Sequence, residues 1–271
     1  MSGLAARETW RRRCGGRPGD GKDDAVLGAD DTGKTPLRLL PAGEAALLVE
    51  LGDAIDPGLN EAVHRLDAAI NRAAPEGLIE TVPTYRSILV NFDPTRTTEA
   101  ALADAITSLN AETLEASGAK RHRWFVPVRF GGEHGEDLTA VAERAGLSPE
   151  EVVDLHCAAE YRVYMLGFSP GFAYLGGLPE ALHQPRRENP RSVTPAGSFM
   201  QGGAQAALSP VAMPSGWHLI GKTPLRLFDP GRSQPFLLAP GDRVRLVSVT
   251  VADYDRMAGQ PDLLPESEAI G

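Results

Sequence analysis

From Tyr161 onward, glycine and proline cut the chain into short apolar pieces, and this punctuation limits the fold more than any other feature of the sequence. Pairs such as Pro170-Gly171, Gly176-Gly177, Gly202-Gly203 and Pro240-Gly241 leave no room for a long helix, because proline removes a backbone donor and glycine weakens helix interiors. What remains between them is strand-length, Trp217–Ile220 being one example. With 29 glycines and 22 prolines in 271 residues, many of them here, the texture fits a closed barrel better than a parallel sheet.

Upstream the pattern differs. Ala45–Leu51 reads as a strand, and Asp56-Pro57 supplies an N-cap and first-turn proline for a helix whose buried stripe is Leu59, Val63, Leu66 and Ile70. Strands follow at Leu78–Val82 and Arg86–Phe92 around a turn at Pro83, then a helix with Leu102, Ile106 and Leu109 at helical spacing. This order predicts a small two-layer α+β domain over residues 35–111. Residues 1–34 lack either period and read as a disordered extension, or as a start placed too far upstream. Glu112–Lys120 reads as a linker, 121–250 as the barrel domain and 251–271 as a C-terminal tail. Within the second domain, Trp124–Phe130 is strand-like. Asp137–Ala145 and Ser148–His156 are predicted helices, the latter opened by the capping box Ser148-Pro149-Glu150-Glu151.

A formal net charge of −9 argues against nucleic acid or an anionic membrane as partner, since phosphate neutralisation needs a basic face. No apolar run has the length of a membrane span, and the arginines at 11–13 precede Gly, Pro and Asp instead of an apolar segment. Two cysteines, Cys14 and Cys157, make no disulfide framework; a cytoplasmic location follows as the expectation. No pair among the six histidines has metal-ligand spacing with a third ligand nearby, so no bound metal is predicted.

Gly167, Ser169 and Gly171 have the G-x-S-x-G spacing of a nucleophile elbow. That elbow uses the amide of the residue after the nucleophile, and Pro170 has none; the helix that should follow is interrupted by glycines. Ser169 is therefore read as a loop residue. Gly28–Thr35 and Gly216–Thr223 match the phosphate-loop pattern, but Pro36 and Pro224 block the helix each would need. Neither is read as a nucleotide site. More informative is Pro185-Arg186-Arg187-Glu188-Asn189-Pro190-Arg191, a basic run stiffened by prolines in an acidic protein and set beside the aromatics Phe168, Phe172 and Tyr174. Guanidinium forks pair with carboxylate or phosphate.

Tyr161–Pro179, Pro185-Arg-Arg, Pro195-Ala-Gly-Ser198, Gly216-Trp217, Leu227-Phe-Asp-Pro230 and Pro240-Gly-Asp-Arg-Val244, with Tyr85–Val90 upstream, resemble the 5-oxoprolinase B-subunit family. That family was formerly labelled allophanate hydrolase subunit 1; it includes Kip-type inhibitors of a histidine kinase and is similar to part of the urea carboxylase carboxyltransferase domain. The resemblance implies a small N-terminal α+β domain followed by a cyclophilin-like β-barrel. It implies a chain inactive or weakly active alone, working with a barrel-fold C subunit and a separate A subunit to open 5-oxo-L-proline to L-glutamate at the expense of ATP. A kinase inhibitor, or a component of an allophanate or urea amidolyase system, is the alternative it leaves. Together with the clustering above, it points to Arg186, Arg187 and Arg191 as clamps for a small carboxylate or phosphate, Gln205 as a polar orienter, and Tyr161, Phe172 and Tyr174 as an apolar wall. Where the family carries threonine and tyrosine hydroxyls, this chain has Ala206 and Ser209.

Overall fold

The computed structural model describes residues 37–112 and 121–270, which form two units. The extension at 1–34, the first phosphate-loop match and most of the Glu112–Lys120 linker lie outside the described residues.

In the first unit, strands β1 (Arg38–Pro41), β2 (Ala46–Glu50), β3 (Leu78–Pro83) and β4 (Ser87–Phe92) form an antiparallel sheet in the order β1-β2-β4-β3. Helix α1 (Pro57–Ala73) starts where expected: the Asp56 carboxylate accepts the Leu59 amide at 2.9 Å, with proline in the first turn. It ends on Ala74 in the left-handed region. Its Val63, Leu66 and Ile70 share one core with Leu47 and Val49 of β2, Ile88 and Val90 of β4, and Leu102 and Ile106 of α2 (Glu99–Glu112). Alternation along β4 and helical spacing along α1 thus converge on a single buried layer.

The second unit is built around β5 (Arg121–Phe130), ten residues long. Helices α3 (Leu138–Ala145) and α4 (Pro149–Ala158) follow, and the capping box forms reciprocally: Ser148 Oγ accepts the Glu151 amide while Glu151 Oε2 accepts the Ser148 amide at 2.7 Å. Then come β6 (Glu160–Leu166), β7 (Ala173–Gly176), β8 (Arg191–Thr194), β9 (Ser198–Gly202), β10 (Gln205–Leu208), β11 (Met213–Ser215), β12 (His218–Lys222) and β13 (Arg243–Ser248). Seven of these strands run β12-β9-β10-β7-β6-β13-β5, and pairing of β12 with β5 closes the ring. Within that ring the β13–β5 pair is parallel and the others antiparallel. The result is the α+β architecture with a closed barrel that the Gly/Pro texture implied. Val128, Val163, Leu175, Phe199, Ile220 and Val244 fill its interior.

The segment read as a tail is structured. Helix α5 (Val251–Ala258), capped by Thr250, buries Tyr254 and Met257, and β14 (Glu266–Ile270) pairs with residues 121–125 of β5. Its sequence, Glu-Ser-Glu-Ala-Ile, carries no strand pattern because it is an edge strand held by backbone pairing.

Candidate functional site

The stretch Gly167–Phe172 forms a tight turn between β6 and β7, locked by Gly167 N to Phe172 O and Phe172 N to Ser169 O, each 3.1 Å. A strand follows it in place of the helix that a nucleophile elbow requires. Ser169 Oγ is buried with no hydrogen-bond partner among the described residues. Gly171 adopts φ 78° with Phe228 so close that a Cβ would lie 3.0 Å from its Cβ. Phe168 adopts φ 70°, a conformation costing a bulky residue on the order of 1–3 kcal/mol, and is 72% exposed.

Below the turn, the strands present a second, smaller apolar cluster on the outside of the barrel. Register places Tyr174 of β7 opposite Ala207 of β10, Ala207 opposite Met200 of β9, and Met200 opposite Leu219 of β12. Neighbours of opposite parity, Leu175, Ala206 and Phe199, belong to the interior. Aromatic rings continue the row: Phe168 to Phe172 at 5.9 Å between centroids, Phe172 to Tyr174 at 4.8 Å, Tyr174 to Trp217 at 6.2 Å. The Arg186 guanidinium caps it, 5.3 Å from the Trp217 ring centroid. Gln205 stands opposite Gly202 and two residues from Ala207, hence on this same face, with no hydrogen-bond partner for its side-chain amide among the described residues. The structure therefore brings Arg186, Gln205, Phe172 and Tyr174 together.

The loop carrying Arg186 is held on both sides. Gln184 and Gly203 exchange backbone hydrogen bonds, His218 Nε2 donates to Pro185 O at 2.9 Å, and Arg187 N donates to Gly216 O at 2.7 Å. Among the described residues Arg186 forms no ion pair, which leaves its fork available to an anion. Its charge acts on Tyr174, whose hydroxyl burial pushes upward while Arg186 pulls down.

Arg187 and Arg191 have a different fate, and this corrects their reading as open clamps. Asp137, 6% exposed, takes Arg187 Nη1 on Oδ1 at 2.6 Å and Arg191 Nη1 on Oδ2 at 2.6 Å, and its Oδ2 also accepts the Leu219 amide at 2.8 Å. Burial pushes the Asp137 carboxyl up, but the Arg191 hydrogen bond, the Leu219 amide and the two arginine charges outweigh it and hold the group below its ordinary range. Asp137 fastens β12 and the arginine loop to the start of α3. No local pattern marks it, since its partners lie 50 and 54 residues away.

Residues 37–238 match the family of the carboxyltransferase domain, subdomain C and D. The chain is 40% identical over 223 residues to the 5-oxoprolinase B subunit of Bacillus subtilis, covering 78% of this chain and 92% of that one, and 43% identical over 207 residues to the 5-oxoprolinase B subunit of Escherichia coli O157:H7, covering 76% and 93%. The chain belongs to the 5-oxoprolinase B-subunit family. Among solved structures, TTHA0988 is similar with a TM-score of 0.68 and 36% identity over 76% of this chain, which spans only 40% of that longer protein. Urea amidolyases of Lachancea kluyveri and Saccharomyces cerevisiae match at 25% and 23% identity over 13% and 14% of their length.

In this member of the 5-oxoprolinase B-subunit family, Tyr161 does not line the outer face. It is fully buried in the barrel, where its hydroxyl shares a 2.7 Å hydrogen bond with Nδ1 of His156 between the rings of Phe130 and Phe199. Burial pushes His156 down to about 3, against a weak opposing pull from Gln201, and pushes Tyr161 up. Both stay neutral and act as core. Ala206 is likewise interior, and Ser209 Oγ donates to Val211 O at 2.7 Å. The second phosphate-loop match is strand β12, whose backbone is used in pairing with β9 and β5, so it offers no phosphate cradle. Among the described residues no three His, Cys, Asp or Glu side chains gather as a metal site, and no helix is long and apolar enough to cross a membrane.

Proposed function

We propose that this chain is the B subunit of a cytoplasmic, ATP-dependent 5-oxoprolinase, converting 5-oxo-L-proline, ATP and water to L-glutamate, ADP and phosphate together with a barrel-fold C subunit and a separate A subunit. The observation that carries the site assignment is Arg186: a guanidinium without an ion pair among the described residues, fixed between two tethered residues and laid over Trp217. It receives the carboxylate of the lactam substrate, Gln205 orients the ring amide, and Phe172 and Tyr174 exclude water from one side. Hydrolysis of an unstrained lactam is slow because amide resonance leaves the carbonyl carbon a poor electrophile and the nitrogen a poor leaving group. Phosphorylation of the oxygen by ATP activates that carbon for water, C–N cleavage opens the ring to an acyl phosphate, and a second water releases phosphate; fixed cations are required for the developing charge. The described residues offer a binding wall without a phosphate cradle, which fits weak or no activity alone. The family likeness supports this reading over an amidolyase role, whose relatives are more distant.

The test is reconstitution of the chain with candidate C and A subunits and measurement of ATP-dependent glutamate release. Release by the wild-type complex, strongly lowered with Arg186→Ala, is expected. Full turnover by that variant would overturn the site, and no release by any reconstituted complex would favour the kinase-inhibitor alternative.

A further inference from the structure

We propose that the Phe168 loop is the anchor by which the barrel docks on the neighbouring subunit of its assembly, the Phe168 ring entering an apolar pocket with an acidic rim. This rests on the reading of the chain as one component of a 5-oxoprolinase, and it adds the surface and the chemistry of the contact.

Three observations converge on the loop. First, Phe168 is 72% exposed and is continuous with a second exposed aromatic: Phe236, 45% exposed, stacks on Phe228 at 5.2 Å, and Phe228 packs beside Gly171 of the same turn. Exposed aromatics joined in one patch mark contact surfaces more strongly than single ones do. Second, the chain holds Phe168 in left-handed backbone although glycines stand at 167 and 171, and the turn is locked by two hydrogen bonds and Pro170. Packing within the barrel gains little from this, because the residue that bears the strain is exposed; a rigid, pre-set aromatic is instead what lowers the ordering cost of association. Third, the rim is positive in an acidic protein. Arg226 and Arg232 share the single carboxylate of Asp229 at 3.5 and 3.9 Å, in the segment that passes Gly171, and Arg186, at the other end of the aromatic row, has no ion pair among the described residues.

That rim selects the occupant. In a two-fold contact between copies the same positive patch would face itself, so a second copy of this chain is disfavoured. A different polypeptide with carboxylates around an apolar pocket fits both the charge and the ring. Additional polypeptide is also what the 36% identical TTHA0988 possesses, since this chain spans only 40% of it. Docking there would close the site around the exposed Arg186.

The experiment measures affinity of the full-length chain for the C subunit by biolayer interferometry, with the melting temperature of each isolated variant. Phe168→Asp is expected to weaken binding at least tenfold and Arg226→Glu severalfold. Phe168→Gly is the separating variant: it removes the ring and the strain together, so it should weaken binding as much as Phe168→Asp while the isolated chain melts at the same or a higher temperature. Wild-type binding with all Phe168 variants within twofold of it overturns the anchor and leaves the 5-oxoprolinase reading intact. Absence of wild-type binding overturns both. Concentration-dependent dimers of the isolated chain that Phe168→Asp abolishes would overturn the choice of partner in favour of self-association.

Discussion

Arg191 grips Asp137 with both terminal nitrogens, Nη1 to Oδ2 at 2.6 Å and Nη2 to Oδ1 at 2.8 Å, and Glu136 receives the second nitrogen as well at 3.2 Å. The bidentate geometry makes it the strongest of the ion pairs around the candidate site. With Arg187 and the Leu219 amide on the same carboxylate, it ties three separate segments of the barrel unit together.

Removing the charge at Asp137 leaves the partly buried Arg187 guanidinium without a counterion and Arg191 with only the exposed Glu136. Asp137→Asn is therefore expected to destabilise the barrel by about 3 kcal/mol, read as a lower urea midpoint by fluorescence of Trp124 and Trp217. Because the folded carboxyl lies below its ordinary value of 3.8, its contribution is complete above that value and is lost as pH falls through the lower folded one. Asp137→Asn should remove that part of the acid sensitivity. An unchanged urea midpoint in the variant would show that the knot contributes nothing.

Local chemistry is well disclosed by the sequence and distant pairing poorly. Asp56 before Pro57 and the Ser148–Glu151 box are legible because cap and amide lie within four residues. Three arginines in one short loop look equivalent, yet tertiary contacts divide them: Asp137, from another element, claims Arg187 and Arg191 and leaves Arg186 on Trp217. Tyr161 is misplaced by the sequence because β6 is buried on both faces along Tyr161–Tyr164, so alternation gives no clue to which side points inward. The β14 strand escapes notice since its exposed side chains are mostly polar and it is held by backbone pairing and by Glu268 reaching Arg123 at 3.3 Å, contacts that no local pattern announces.

His156 makes stability pH-dependent in a separate window. An ordinary histidine protonates near 6.5, whereas burial holds this one down to about 3, so the unfolded chain takes up a proton that the folded chain refuses. Stability then rises with pH between those values, with a slope near 1.4 kcal/mol per unit. Urea titrations at pH 4.5, 5.5 and 6.5 should show this slope, and a His156→Leu, Tyr161→Phe double variant should be flatter by that amount. Parallel lines for the two proteins would refute it.

Arg186 should tolerate no substitution that loses its plane. A lysine keeps the charge but neither stacks on Trp217 nor forks around a carboxylate. In the reconstituted complex, Arg186→Lys and Arg186→Ala are both expected to lower kcat/KM by roughly 10- to 100-fold, without moving the urea midpoint. Arg191→Ala should do the reverse, lowering the midpoint while the folded fraction keeps most of its turnover. Equal loss of turnover in Arg186→Ala and Arg191→Ala at equal stability would mean that the two share one role.

Gly202 offers the most selective disturbance of the site. A Cβ there would lie 3.2 Å from Arg186 Cγ and 3.2 Å from two Trp217 ring atoms, tighter than ordinary contact but within reach of a small adjustment. Its backbone does not occupy the left-handed region, so alanine brings crowding without dihedral strain. The Arg186 stem is exposed and yields first, shifting the guanidinium by a few tenths of an ångström off the indole. Gly202→Ala should therefore raise KM for 5-oxo-L-proline roughly tenfold, with the melting temperature little changed. A large fall in melting temperature at unchanged KM would show that position 202 serves the strand pairing of β9 instead of the placement of Arg186.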